Sequence, residues 1–178
     1  MLSNRELQFG EVPEIDLNHN EVDYEMKKHI RTSVMCIPVM DSKVVIVRDR
    51  KHREWTFPGG GKKHNETLLD ACIRELHEET HDSIHVNPSD LRFLFVHKHS
   101  SDTFIDHVYV FVAFVSNLVP FSSVHSQFTS SILERACNKE TDGIRLVGLD
   151  ALQRYKTWCK VRPIAKRIES HPIMISAM

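Results

Sequence analysis

The sequence contains few cysteines and glycines, no excess of charge of one sign and no long apolar run. Its 178 residues include four cysteines and six glycines, and 23 lysines and arginines face 24 acidic residues, for a formal net charge of -1. A net charge this close to zero means that the chain has no overall positive charge to attract a polyanion or an anionic membrane. No stretch reaches the roughly 18 apolar residues of a membrane span. We therefore expect no membrane partner, and any charge that selects a partner has to be local.

The cysteines are too scattered for a zinc site or a disulfide framework. They stand at positions 36, 72, 137 and 159, and no two of them form a C-x-x-C pair. Such spacing is typical of a reducing compartment. The first 25 residues are acidic and lack an apolar core, which is not the pattern of a secretory signal or a basic transit peptide. We expect a cytoplasmic location, with the nucleus as the alternative.

Length and patterning predict a single α/β domain over residues 1–178, with residues 1–28 as an irregular N-terminal extension. The β-rich segments TSVMCIPVM and KVVIVRD, separated by the turn-like Asp41-Ser42, predict a hairpin, and EWTF predicts a short strand. The segments LRFLFVHKH and TFIDHVYVFVAFV predict two more strands, the second central to the sheet. A helix near residues 130–137, a strand at IRLVGL and a closing helix over 150–169 complete a mixed sheet covered by helices.

A helical period begins after the glycine run at residues 59–61. Leu69, Cys72, Ile73 and Leu76 fall at i, i+3, i+4 and i+7, which predicts one core-facing stripe on a helix from residue 66 to residue 80. Asn65 precedes this stretch and has the side chain of a good N-cap.

Three glutamates, Glu75, Glu78 and Glu79, lie within five positions of this helix. At about 100° per residue they occupy an arc of roughly 100° beside the apolar stripe. Carboxylates on one face are the oxygen ligands that a hard divalent cation such as Mg²⁺ prefers. A solvated acidic turn is the alternative, because each like-charged i,i+4 pair costs only a few tenths of a kcal/mol. The three acids alone leave both readings open.

A longer pattern surrounds the acids. The spacing G-x5-E-x7-R-E-U-x-E-E, where U is aliphatic, is met by Gly60, Glu66, Arg74, Glu75, Leu76, Glu78 and Glu79. This pattern resembles the signature of the Nudix hydrolases and covers residues 60–82. The resemblance implies the family's α/β/α sandwich with a mixed sheet. The chain departs from the signature at His81, where the family has Gly, and at Asp82, where it has an apolar residue that Ile84 could replace.

The resemblance also implies roles for individual residues. Glu75, Glu78 and Glu79 match the family's metal ligands, with the Gly59 carbonyl as an addition, and the implied metal is Mg²⁺ with Mn²⁺ as an alternative. Glu75 is also the implied base that activates water. Arg74 would hold the Glu75 carboxylate.

Two further acids belong to the implied catalytic set. Glu66 would support the junction between loop and helix. Family members often add an acid from a later loop, and our candidate is Glu140, with Asp142 and Glu134 as rivals and a merely solvated loop acid as the alternative.

The implied reaction is hydrolysis of a pyrophosphate linkage in a nucleoside diphosphate linked to another moiety. The segment RDRKHREW places Arg50, Lys51 and Arg53 in a turn that leads to the catalytic loop, which contains Lys62 and Lys63. Cations that converge near a diphosphate favour a substrate rich in phosphate, and a solvated hairpin turn is the alternative.

Several substrates fit such a site. We expect a nucleotide or small molecule with several phosphates, namely a capped RNA, as in mRNA decapping, or a dinucleoside polyphosphate. A diphosphoinositol polyphosphate is the alternative. Tyr24, Trp55 or Trp158 are candidates to stack a base, although Trp55 is expected in the core. A non-catalytic binding module with the same fold is the alternative of another class, and the three intact glutamates argue against it. The oligomeric state is not predicted.

Overall fold

The computed structural model describes residues 22–23, 28–80, 82–115 and 140–171. Within these residues eight strands form one sheet, and no helix is long and apolar enough to cross a membrane. The strands are β1 (Val22–Asp23), β2 (Lys28–Met40), β3 (Lys43–Asp49), β4 (Trp55–Thr56), β5 (Gly59–Gly61), β6 (Leu91–Ser100), β7 (Phe104–Phe114) and β8 (Thr141–Val147), and the helices are α1 (Leu68–Thr80) and α2 (Val161–Glu169).

The sheet is mixed. Its strand order is β4-β3-β2-β7-β6, while β1 and β5 pair with β2 and β8 pairs with β3. The β2–β7 pair is parallel, whereas β6 pairs antiparallel to β7. The prediction that the long aromatic strand is central is confirmed, because β7 is paired on both sides.

The predicted hairpin is confirmed. Val39 pairs with Val44 and Met40 with Lys43 across the turn. Asp41 and Ser42 have φ values of 49° and 59°, the combination that a two-residue type I′ turn needs to match the twist of the strands.

Alternation along β2 builds a core on each face of the sheet. Val34 and Cys36 point toward α1 and pack with Leu76. Met35 and Ile37 point the other way and pack in the cluster that includes Val161, Ile164 and Ile168 of α2. These three α2 side chains are fully buried, and burial of each stabilises the fold by about 1.5–3 kcal/mol. The predicted α/β/α sandwich is therefore confirmed.

The helix α1 begins later than predicted. The Asp70 N–H donates to Thr67 Oγ1 at 3.1 Å and the Thr67 N–H donates to Asp70 Oδ2 at 3.2 Å, which is a reciprocal capping box. The prediction of Asn65 as N-cap is wrong, because Thr67 finds an acid three residues ahead that completes both bonds. The apolar stripe is confirmed, since Cys72 and Leu76 are fully buried.

After α1 the chain turns through Asp82, which has a φ of 53° and whose N–H donates to the His77 carbonyl at 3.0 Å. Ile84 is then buried in the core on the α1 side, as expected if it replaces the missing apolar residue. The substitution of His81 for Gly lies outside the described residues.

The predicted closing helix is interrupted. Leu149–Arg154 form a 3-10 helix, and α2 starts only at Val161. Between them the backbone bonds to β4, because the Trp55 N–H donates to the Lys156 carbonyl at 2.8 Å and the Trp158 N–H donates to the Trp55 carbonyl at 3.2 Å. These bonds pair the edge of β4 and hold residues 156–158 in an extended conformation.

Other predictions fall on residues that the structure does not describe. They are the helix near residues 130–137 and most of the N-terminal extension. Within the extension, Val22–Asp23 form a short strand paired with β2, which the sequence did not predict.

Candidate active site

The strand β5 consists of three glycines and brings the loop after it against α1. Gly59 pairs with Met35 and Gly60 with Val34 of β2. A Cβ on Gly59 would lie 2.3 Å from the Val34 carbonyl oxygen, and one on Gly60 would lie 2.6 Å from Glu75 Oε1. A side chain is excluded at Gly59 because backbone atoms occupy the space, and a side chain at Gly60 would have to displace the Glu75 carboxylate.

Arg74 connects the loop to the helix. Its Nε and Nη2 donate to the two oxygens of Glu66 at 2.9 and 2.8 Å, and Nη2 also donates to the Gly61 carbonyl at 3.1 Å. Its Nη1 donates to Glu75 Oε1 at 2.7 Å and to Glu78 Oε2 at 3.0 Å. A planar guanidinium with this many partners has little rotational freedom, so it orients the Glu75 carboxylate.

Glu140 joins two of the helix acids. Carboxylate oxygens of Glu75, Glu78 and Glu140 all lie within 4.8 Å of one another. Glu79 is turned to the glycine loop, where its Oε2 accepts a hydrogen bond from the Gly59 N–H at 2.9 Å. The structure thus groups Glu140 with two predicted ligands and places the third beside the backbone of Gly59.

Two contacts far apart in sequence position Glu140. The Arg50 N–H donates to the Glu140 carbonyl at 2.8 Å, and Thr141 Oγ1 donates to the Glu79 carbonyl at 3.1 Å. They attach the start of β8 to the turn after β3 and to the last turn of α1. Sequence reasoning missed Thr141, and its position directly after a candidate acid was the only signal.

The carboxylate of the rival acid, Asp142, is paired with two arginines. Its Oδ1 accepts from Arg48 Nε at 2.6 Å and its Oδ2 accepts from Arg53 Nη1 at 2.5 Å, and only 11% of its side chain is exposed. Asp142 therefore organises the basic turn. The other rival, Glu134, lies outside the described residues.

The predicted cations occupy different settings. Arg50 and Lys51 are exposed, while Arg53 bonds to Asp142. Lys63 Nζ lies 4.0 Å from Glu78 Oε1, and the Lys62 N–H donates to the Thr32 carbonyl at 3.0 Å. Lys63 is thus the predicted cation that directly contacts the acid cluster.

The acids titrate unusually for physical reasons that are visible in the structure. Burial raises the pKa of Glu75 against the opposing bond from Arg74. Burial also raises the pKa of Glu79 to about 8, in spite of the Gly59 N–H, and the charge of Glu75 adds to this rise. The hydrogen bond from Arg74 lowers the pKa of Glu66 to about 2. Arg74 thus neutralises Glu66 and only part of the charge of the remaining acids.

The family profile described as "NUDIX domain" matches residues 29–167. This match covers most of the chain and includes α1, the strands β3 to β8 and most of β2 and α2. The chain belongs to the Nudix hydrolase family.

Several known proteins resemble this chain in part. An RNA pyrophosphohydrolase of Haemophilus influenzae (strain PittEE) is 47% identical over 45 residues, which is 25% of this chain and 21% of the relative. The chain thus spans about a fifth of the length of the curated relatives it matches. The NUDIX domain of Shewanella oneidensis NrtR, solved as a complex with ADP ribose, aligns with a TM-score of 0.56 and 16% identity over 83% of this chain and 91% of that one.

A C. elegans Ap4A hydrolase, solved as a binary complex, aligns with a TM-score of 0.54 and 10% identity over 84% of this chain and 98% of that one. At these identities the solved structures show that the Nudix fold is shared.

The acid cluster of this Nudix domain fits a divalent metal. Its donors are carboxylate oxygens, which hard cations prefer. Burial and mutual repulsion disfavour the charged forms of Glu75 and Glu79, and a nearby cation reverses that effect. Among the residues that the structure describes, Glu75, Glu78 and Glu140 are grouped closely enough to share one ion.

Proposed function

We propose that this chain hydrolyses a pyrophosphate linkage in a nucleoside diphosphate linked to another moiety, and that the reaction depends on a divalent metal. The observation that supports this most directly is the grouping of Glu75, Glu78 and Glu140 within 4.8 Å, with Glu75 held by Arg74 at 2.7 Å. A binding module has no need for a carboxylate that is both buried and oriented in this way.

Glu75, Glu78 and Glu140 would hold the metal, Mg²⁺ in preference to Mn²⁺, since oxygen-only donors with substrate phosphates suit Mg²⁺. Glu79 and the Gly59 carbonyl stay proposed ligands from the motif. When bound, the metal supplies neutralisation of phosphate charge and a lower pKa for bound water.

The protein residues supply orientation and proton transfer. Glu75 accepts the proton of the attacking water. Arg74 prepares it for this role, because the hydrogen bond to Oε1 fixes the plane of the carboxylate. Glu66 acts through Arg74, which it binds with both oxygens. Lys62 and Lys63 lie in the same loop and attract the substrate phosphates.

A capped RNA or a dinucleoside polyphosphate is the substrate class that we favour. The names of the relatives support this choice, since they include an RNA pyrophosphohydrolase and an Ap4A hydrolase. The exposed Arg50 and Lys51 add positive charge on the turn whose backbone bonds to Glu140. A diphosphoinositol polyphosphate is the alternative substrate, because the same cations would bind its phosphates.

We also propose that the protein acts in the cytoplasm. The four cysteines are scattered along the sequence with no C-x-x-C pair, a spacing typical of a reducing compartment.

The test is hydrolysis of capped RNA, dinucleoside polyphosphates, nucleotide sugars and diphosphoinositol phosphates with Mg²⁺. Glu75→Gln and Glu78→Gln should each lower kcat by at least about 100-fold, since loss of a base or ligand typically costs that much. Glu169→Gln, at the exposed end of α2, is the matched control and should retain full activity. Normal turnover in Glu78→Gln would contradict the metal site.

A further inference from the structure

Arg145 of β8 is a cation that aromatic rings, rather than carboxylates, hold in place. Its guanidinium carbon lies 4.7 Å from the centre of the Trp55 ring and 5.4 Å from that of Tyr155. Its Nε is buried without a hydrogen-bond partner, and among the described residues no acid forms an ion pair with it. Because rings orient a guanidinium without accepting its N–H groups, the charge of Arg145 remains available for an anion.

Arg145 is the last of four arginines that lie beside one another. Going from the turn after β3 to β8 they are Arg50, Arg53, Arg48 and Arg145, which we call the arginine row. Asp142 joins two of them, since its carboxylate oxygens accept hydrogen bonds from Arg48 Nε at 2.6 Å and Arg53 Nη1 at 2.5 Å. The guanidinium carbon of Arg48 lies 5.6 Å from the centre of the Trp55 ring, which also contacts Arg145. Trp55 is buried in the core, as the sequence predicted, and it holds both side chains.

The arginine row runs from the acid cluster of Glu75, Glu78 and Glu140 around the end of the sheet. Arg50 is next to the cluster, because its N–H donates to the Glu140 carbonyl at 2.8 Å. Arg145 lies on the face toward α2, because it pairs in register with Ile46, which belongs to the same buried cluster as α2. Glu140 and Arg145 are five positions apart in the sequence. A strand covers about 15 Å in that length.

The charge along the row is positive. Residues 48–53 and β8 together carry five lysines and arginines and two aspartates. Asp142 is shared between two arginines, and Asp49 Oδ1 accepts a hydrogen bond from the His52 N–H at 2.5 Å. Guanidinium groups bind phosphate through two parallel hydrogen bonds. A row of them therefore matches a ligand that carries phosphates at intervals.

The length of the row distinguishes among the phosphate-rich substrates. A ligand with its pyrophosphate at the acid cluster needs a further anionic group about 15 Å away to reach Arg145. A dinucleoside polyphosphate has all its phosphates in one run between two nucleosides, and a diphosphoinositol polyphosphate has them around one small ring. An RNA chain carries a phosphodiester at every nucleotide. RNA is thus the substrate whose charges extend along the whole row.

We propose that the arginine row binds the phosphodiester chain of an RNA whose 5′ pyrophosphate linkage lies at the acid cluster, with Arg145 as the contact farthest from that cluster. The inference rests on the proposed function for the position of the pyrophosphate. It selects RNA over a dinucleoside polyphosphate or a diphosphoinositol polyphosphate. Binding of the chain to the row requires neither metal nor hydrolysis.

The first experiment measures binding of an oligouridylate of about 12 nucleotides, a length within the site sizes of proteins that bind single strands. EDTA is present, and fluorescence anisotropy gives the affinity at several salt concentrations. Arg145→Gln should weaken binding by about fivefold to tenfold. It should also make the salt dependence shallower by about 0.7, the value for one phosphate contact on a single strand. Arg145→Lys should keep most of the salt dependence, because it retains the charge.

Arg92→Gln is the matched control, since Arg92 is exposed on β6, at the opposite edge of the sheet from β8. It should leave the affinity and its salt dependence unchanged. If Arg145→Gln fails to fold, Arg145→Met takes its place, because methionine packs well against aromatic rings and carries no charge. A folded, uncharged variant of Arg145 with the affinity and salt dependence of the wild type overturns the inference.

The second experiment tests the choice of substrate by kinetics with Mg²⁺. Arg145→Gln should raise KM for a capped RNA by about fivefold to tenfold. It should leave KM for diadenosine tetraphosphate unchanged, because that ligand has no phosphate at the far end of the row. An equal rise of both KM values would mean that Arg145 does not distinguish the chain from a compact polyphosphate, and it would contradict the inference.

The two proposals can fail separately. Oligouridylate binding that depends on Arg145, in a protein that hydrolyses nothing, supports the arginine row and contradicts the proposed function. Hydrolysis of capped RNA with an unchanged KM in Arg145→Gln supports the proposed function and contradicts the role of the row.

Discussion

The backbone of Gly60 lies against the carboxylate of Glu75, so that a Cβ on Gly60 would be 2.6 Å from Oε1 and 2.8 Å from Oε2. Oε1 is the oxygen that Arg74 binds. Gly60 therefore leaves room for the carboxylate of Glu75, the proposed base. The backbone at Gly60 does not need a left-handed conformation, since its φ is not in that range.

Gly60→Ala should displace Glu75 and lower kcat by about 10- to 100-fold, because a misplacement of about 1 Å can cost 100-fold. Gly61→Ala is the matched control, since a Cβ there would meet no atom within 4 Å. Steady-state kinetics and circular dichroism of both variants provide the measurement. Equal activities in the two variants would show that Glu75 shifts without consequence.

Glu66 should stabilise the fold at neutral pH. The bond from Arg74 lowers its pKa from 4.5 to about 2, and only 13% of its side chain is exposed. Because the folded pKa is the lower one, the stabilisation is complete above about pH 4.5 and is lost as the pH falls toward 2. Its order of magnitude is about 3 kcal/mol.

Glu66→Gln should therefore lower the free energy of unfolding at pH 7 by about 2–3 kcal/mol and flatten its dependence on pH between 4.5 and 2. Urea unfolding over this range measures both effects, with Glu169→Gln as the control. Parallel pH curves for wild type and Glu66→Gln would mean that Arg74 gives the carboxylate no net stabilisation.

Substitutions of Glu140 and Asp142 should have different effects, one on metal binding and the other on the stability of the loop. Glu140→Gln should raise the Mg²⁺ concentration for half-maximal activity by about tenfold or more, as loss of a group at a metal site typically does. Asp142→Asn should leave that concentration unchanged and lower the melting temperature, because Arg48 and Arg53 lose their charged partner. If Asp142→Asn shifts the Mg²⁺ dependence and Glu140→Gln does not, Asp142 is the loop acid.

The exposed turn should act on substrate more than on folding. Arg50→Glu with Lys51→Glu should raise KM strongly for a polyphosphate or RNA and weakly for a nucleotide sugar with two phosphates. For RNA the salt dependence should become shallower by about one unit per lost phosphate contact. The melting temperature should barely change, since surface substitutions usually stay within about 0.5 kcal/mol.

The charge-matched control for the turn is Lys43→Glu with Arg92→Glu. Both residues are exposed. They lie at the edge of the sheet where β2 and β7 end, away from the start of β2. An equal rise of KM in both double variants would indicate a general effect of net charge, and an unchanged KM on every phosphate-rich substrate would return the turn to a solvated hairpin.

Local patterns in the sequence predicted most of the fold. The hairpin at residues 41–42 and the apolar stripe of α1 follow from periods of two and 3.6 residues, which depend on neighbours a few positions away. The N-cap was misplaced by two residues because Asn65 and Thr67 both have capping side chains, and only Thr67 meets an acid in the right place. The closing helix was predicted too long because its middle bonds to Trp55, about 100 residues earlier.

The sequence by itself determined the family and the face that presents Glu75 and Glu78, because helical geometry fixes the relation of residues three apart. Only the tertiary structure showed which of Glu140 and Asp142 lies with Glu75 and Glu78. Asp142 belongs to β8, whose pairing with β3 places it beside Arg48 and Arg53, whereas Glu140 precedes the strand and lies with Glu75 and Glu78. That choice depends on a contact between distant segments, which no local spacing specifies.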